Sequence, residues 1–158
     1  MLNFIPACMG RENKIKERFM LKYETVPKNI AALIPKIQLK ITKGNIKEFQ
    51  DGIELLENQL KKCPNIRETD GMKEHPAILH YFYGSTDIYI CEFDKNDYMF
   101  GFAILNGDLE MSEWGYFDLN DLTSTLLYNI DYHFKETSIE AALYEAYPHY
   151  YKNPQSEN

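Results

Sequence analysis

Cysteine is scarce in this chain. Only Cys8, Cys63 and Cys91 occur, and no two of them stand at the short spacing of a zinc site. Three scattered thiols also make no disulfide framework, so the expected state is reduced cysteine in a cytoplasmic-type compartment. Long hydrophobic runs are missing: no stretch approaches the ~20 apolar residues that cross a bilayer. The string Ile5–Cys8 is shaped faintly like a lipoprotein cleavage site, but it has neither a basic leader nor an adequate apolar stretch, so no membrane attachment is expected. The motifs of common chemistries are missing as well. There is no G-x-S-x-G elbow, no papain-like cysteine setting, no P-loop and no EF-hand loop. No catalytic residue, metal or cofactor is therefore expected.

Positive charge is almost absent from one half. Residues 76–158 hold 3 Lys/Arg against 14 Asp/Glu, whereas residues 1–75 hold 14 against 10. The same second half carries 18 of the 22 aromatic residues. An acidic, aromatic segment repels nucleic-acid phosphates and membrane surfaces and attracts basic partners. DNA binding through residues 76–158 is thereby disfavoured, and a protein partner with a basic surface is favoured. Oligomeric state is not legible.

What is present describes a packed α+β protein. The 158 residues suffice for one domain with a real core, and a hydrophobic fraction of 44% argues against disorder. Residues 11–22 space Ile15, Phe19 and Met20 as in a short helix. Pro27 and Pro35 leave room for a turn or two between them. Ile37 to Ile41 alternates apolar and polar residues, which predicts a strand. Ile46, Phe49, Ile53, Leu56 and Leu60 form one helical face, interrupted by Gly52. Residues 64–76 read as a connection.

From there the period changes to that of strands: 78–83, 87–93, 98–105 and 109–117 form an antiparallel meander, with Asn106-Gly107 as a type I′ hairpin signal. Asp118 is placed to cap a helix with Leu119, Leu122 and Leu126 on its apolar side. Asp131 to Phe134 reads as extended. Thr137 and Glu140 read as a capping box opening a helix that buries Ile139, Ala142, Leu143 and Ala146. The expected organisation is an α-rich basic region over 1–75, an acidic aromatic domain over 76–151 and a flexible tail over 152–158.

The candidate functional residues follow from these patterns. Asp131 and His133, two apart on an extended segment, share a face and form half of an acid–base pair or half of a metal site; the plainer reading is a surface ion pair. Asp108, Glu110 and Glu113 cluster after the Asn-Gly turn, with Asp94 and Asp97 in another loop of the meander; such carboxylates offer oxygen ligands to Mg²⁺ or Ca²⁺, and the plainer reading is solvated loop acids. Trp114 and Tyr116 are either sheet packing or interface anchors.

Residues 78–134 resemble the uncharacterised family called domain of unknown function 2958. The resemblance is carried by His80-Tyr-Phe82, Asp87-Ile-Tyr-Ile-Cys-Glu-Phe-Asp94, Phe100-Gly101-Phe102, Leu105 to Phe117, Leu119, Leu122, Asp131 and His133-Phe134. It implies a small domain typical of plasmid, phage and conjugative-element proteins, and it implies no reaction. The segment Thr123 to Asn129 departs from the family pattern, where members commonly carry a longer connection with a Glu-Arg pair.

Three functions remain in play. The first is a non-catalytic accessory or interaction protein of a mobile element that binds a basic protein through an acidic aromatic face. That face requires Asp87, Asp94, Asp97, Asp108, Glu110 and Glu113 largely on one side of the sheet, near Trp114 and Tyr116. The second is a hydrolase or nuclease-like enzyme using Asp108, Glu113, Asp131 and His133, which requires those side chains to converge. The third is a nucleic-acid module using the basic N-terminal region.

Overall fold

A computed structural model describes residues 21–157. The predicted helix over 11–22 and the Ile5–Cys8 string therefore fall wholly or almost wholly outside the described residues. The protein is an α+β mixture of five α-helices and two antiparallel sheets among these residues.

Pro27 and Pro35 each precede a helix, where a fixed φ and a missing N–H cost nothing. They open α1 (Lys28–Ala31) and α2 (Lys36–Gly44). Helix α2 replaces the strand expected over 37–41. The alternation was misleading because the helix buries a polar face: Thr42 is fully buried and Gln38 half-buried, while Ile37 and Ile41, one turn apart, are each 52% exposed. Asn45 breaks the chain direction, and α3 (Ile46–Lys62) buries Ile53, Leu56 and Leu60 as its spacing predicts.

The strands β1 (Pro76–Ala77), β2 (Leu79–Tyr83), β3 (Thr86–Phe93), β4 (Tyr98–Ile104) and β5 (Glu113–Asp118) follow. Helix α4 (Leu119–Ser124) and strands β6 (Asn129–Ile130) and β7 (Thr137–Ser138) lead to α5 (Ile139–Ala146). The main sheet has the order β5-β4-β3-β2-β6, and β1 pairs with β7 in a small second sheet. The meander is as predicted, except that residues 109–112 belong to a loop and the return strand starts at Glu113.

The sheet has two dissimilar faces. Leu79, Tyr81, Ile88, Ile90, Met99 and Ala103 point to one side and pack with Ile30, Leu33, Ile53 and Leu56 of the helices. Tyr89, Cys91, Phe102 and Ile104 point to the other and pack under Ile139, Ala142 and Leu143 of α5. A bulge at Ile90–Glu92 turns Glu92 to the α5 side, opposite Phe100. Gly101 lies beside this irregularity because a Cβ there would come 2.0 Å from the Tyr89 carbonyl oxygen.

Four local expectations need correction. Leu126 is 75% exposed, because α4 ends at Ser124 and Leu126 lies beyond it. Asp131 to Phe134 is a turn beyond β6, not an extended segment. The cap of α5 is Ser138, whose Oγ accepts from the Ala141 N–H at 3.1 Å; Thr137 is in β7 and Glu140 reaches back to His75. Ala146 is exposed.

Candidate functional site: an aromatic strip on an open sheet edge

Strand β5 is positioned by the loop before it. Asn106 and Gly107 both have positive φ, 54° and 72°, and the Asp108 N–H donates to the Leu105 carbonyl at 3.0 Å. This is the predicted I′-type turn, set within a longer loop. One oxygen of Asp108 accepts from the Glu110 and Met111 N–H groups, each at 3.2 Å, so this carboxylate holds its own loop. At the opposite end of β4, one oxygen of Asp94 accepts from the N–H groups of Asn96, Asp97 and Tyr98. Asp118 caps α4 through the Asn120 N–H at 2.8 Å. Much of the acidic excess thus sits where turns and caps need an acceptor.

The expected single-sided acidic set is not formed. Asp94 and Asp97 lie in the β3–β4 turn, and Asp108 and Glu110 in the β4–β5 loop. Asp87 points to the α5 side, where it meets His80. Glu113 pairs with Ala103, which belongs to the opposite face. The acids are distributed at both ends of β5: Asp97 and Asp118 at one, Glu110 and Glu113 at the other.

The aromatics are brought together instead. Tyr98, Phe100 and Phe102 of β4 share a face with Trp114 and Tyr116 of β5, as the register Tyr98↔Asp118, Phe100↔Tyr116 and Phe102↔Trp114 requires. Phe100 stacks on Trp114 with ring centres 5.6 Å apart and meets Tyr116 at 5.0 Å. His75 lies 4.5 Å from Trp114 and is fixed by Glu140, which takes both its backbone N–H and its Nδ1. Tyr98 is 57% exposed, Tyr116 60% and Trp114 37%. Tyr98 and Tyr116 therefore face solvent, while Trp114 is partly covered by Phe100, Phe102 and His75.

A second cluster lies at the other edge of the sheet. His80 Nε2 meets Asp87 Oδ1 at 2.8 Å, and His80 Nδ1 meets Asp131 Oδ2 at 3.4 Å. The ring stacks on Tyr89 at 4.7 Å, and the Tyr147 hydroxyl donates to the second Asp87 oxygen. Burial, and secondarily Asp87, pushes both tyrosine hydroxyls above their ordinary pKa. A cavity of about 460 Å³ opens here between His80, Asp131, His133, Phe134 and Glu145. His133 contributes only its backbone N–H to Asp131, at 2.8 Å, so the expected Asp131–His133 side-chain pair is replaced by Asp131–His80. The sequence carried the signal for His80: a two-residue turn at Gly84-Ser85 sets it diagonally across from Asp87.

The four residues of the hydrolytic reading do not converge. Asp108 and Glu113 lie in and just after the β4–β5 loop, and Asp131 and His133 just beyond β6, at the far edge of the sheet. Among the described residues no group of three or more His, Cys, Asp or Glu side chains is placed to hold a metal ion, and no helix is long and apolar enough to cross a membrane. Some of the described basic residues of this region pair with acids, Lys22 with Glu54, Lys61 with Glu57, Lys62 with Glu136 and Arg67 with Asp70, whereas α2 carries Lys36, Lys40 and Lys43 and no acid.

No family model, no curated protein and no solved structure matches this chain.

Proposed function

We propose that the protein is a non-catalytic interaction module that holds a basic protein partner on the aromatic strip of β4 and β5. The observation that carries this reading is the exposure of Tyr98, Tyr116 and Trp114 side by side on one face, with carboxylates at both ends of the strip. Flat, half-dry rings anchor an interface, and flanking acids steer and orient a cationic partner. A guanidinium or ammonium group over these rings gains a further attraction to their π-faces. The setting, an accessory protein of a mobile genetic element in the cytoplasm, rests on the resemblance of residues 78–134 to domain of unknown function 2958 and on the reduced-thiol composition.

Replacing Tyr98 and Tyr116 by alanine tests the reading. Both side chains are mostly solvent-exposed, so the fold should persist. Binding of a lysine-rich peptide should weaken about tenfold or more, the loss expected for an aromatic anchor. Unchanged affinity in the double variant would remove the strip from the interface.

A further inference from the structure

The two edges of the main sheet are treated differently by the fold. At the β6 edge, the Gln38 side chain lies against the Ile130 backbone. Its Nε2 donates to the Ile130 carbonyl and its Oε1 accepts the Ile130 N–H, each at 2.8 Å. One amide thus imitates a neighbouring strand and blunts that edge. At β5 nothing equivalent exists among the described residues.

The direction of the unpaired groups on β5 follows from register. Leu119 donates its N–H to the Asp97 carbonyl at 2.8 Å. Hydrogen-bonded pairs alternate along an antiparallel ladder. Phe117, Gly115 and Glu113, opposite Met99, Gly101 and Ala103, therefore bond towards β4. The N–H and C=O groups of Trp114 and Tyr116 point away from the sheet. No described residue takes a hydrogen bond from them or gives one to them. Strand β5 reads Glu-Trp-Gly-Tyr-Phe-Asp, with no lysine, proline or bulge to guard it, and space is open where a Gly115 side chain would stand.

We infer that β5 is a docking edge for strand addition, and that its occupant is an extended segment of a partner protein with Lys or Arg at alternate positions. This rests on the reading of the strip as the site for a basic partner. Main-chain bonds to Trp114 and Tyr116 supply the pairing. Partner residues opposite those two project over the same face as their rings, so a cationic side chain at every second position meets first one aromatic ring and then the other. Charge excludes a second copy of this chain as the occupant. Residues 105–118 hold Asp108, Glu110, Glu113 and Asp118 and no Lys, Arg or His, so self-pairing would bring carboxylates against carboxylates.

The test uses the full chain and two capped heptapeptides of sequence Lys-Thr-Lys-Thr-Lys-Thr-Lys, one unmodified and one N-methylated at every backbone amide. N-methylation removes the donors and keeps the charge. Strand addition predicts that the unmodified peptide slows hydrogen exchange of the Trp114 and Tyr116 N–H groups about tenfold or more, and that methylation weakens binding by a similar factor. Equal binding of both peptides with exchange unchanged would overturn strand addition and leave the basic-partner reading standing. Failure of the unmodified peptide to bind at low salt would overturn both.

Discussion

Gly52 in the middle of α3 is the floor on which Tyr132 rests: a Cβ at this position would lie 2.7 Å from the Tyr132 Cβ. The contact fixes the helix layer to the segment after β6, and the Tyr132 hydroxyl continues it by meeting Thr42 Oγ1 at 2.6 Å. In a free helix, Gly→Ala gains about 1 kcal/mol. Here overpacking by a methyl group costs about 1–3 kcal/mol, and the near-backbone part of Tyr132 has little room to yield. Gly52→Ala is therefore expected to lower stability in urea titrations. A gain would show that the two elements can move apart.

Glu92 is 1% exposed and holds the connection after α3. Its carboxylate accepts from the Arg67 N–H at 2.7 Å, from the Thr69 N–H at 2.9 Å and from the Thr69 hydroxyl. Bonds to a charged group contribute about 1.5–3 kcal/mol each, and a truncated partner leaves its donors unpaired. Glu92→Ala should cost about 3 kcal/mol or more, and Glu92→Gln less, since the amide oxygen keeps one acceptor. Equal urea midpoints for the two variants would contradict this role.

Burial pushes the Cys63 thiol up to about 11 and the Cys91 thiol up to about 12. Both lie above the ordinary value of 9.0, so folding favours the protonated form. The stabilisation is complete below pH 9 and is lost as pH rises through 11 and 12. Tyr81 and Tyr89, also raised by burial, act in the same direction. Two results are expected: Cys63 and Cys91 stay unmodified by iodoacetamide at pH 8 in the folded protein, and thermal stability declines above pH 9. Rapid alkylation of either thiol at pH 8, read by peptide mass, would refute the burial assigned to it.

His80 separates two carboxylates. Both of its ring nitrogens face oxygens that only accept, and its faces are covered by Tyr89 and Phe82. His80→Phe keeps the ring and removes both polar contacts, leaving Asp87 and Asp131 without it. The expected cost is about 2 kcal/mol, and Asp87→Asn in the same background should recover part of it because one charge is removed. Strict additivity of the two substitutions in a double-mutant cycle would show that His80 and Asp87 do not interact.

The sheet was legible because its strands are rich in β-formers and its turns have specific chemistry at Gly84-Ser85, Asp94 to Asp97 and Asn106-Gly107. Helix α3 was legible because its apolar face is complete. Helix α2 was not, since Leu39 alone of its apolar residues packs against the core, Gln38 and Thr42 make the other inward contacts, and Ile37 and Ile41 face solvent. The aromatic strip was half legible. Trp114 and Tyr116 stand out in the sequence, but their grouping with Tyr98 and Phe100 needs the register of β4 and β5. His75 was missed as a positioned group because Glu140 reaches it across 65 residues, whereas the pairing of His80 with Asp87, seven residues on, followed from the Gly84-Ser85 turn and was overlooked. The acids are abundant in sequence but not gathered in space, since local turns set where each one lies.

Trp114 is the sole tryptophan of the chain, so its emission reports directly on the strip. The decisive measurement is a fluorescence titration of the full chain at 20 mM and at about 500 mM salt, with a lysine-rich peptide and, separately, with duplex DNA; at the higher salt surface charge is screened within a few ångströms. The peptide should change Trp114 emission at low salt with an affinity that falls steeply at high salt, and DNA should leave the emission unchanged at both. An emission change with DNA and none with the peptide would contradict the assignment of this strip to a basic protein partner.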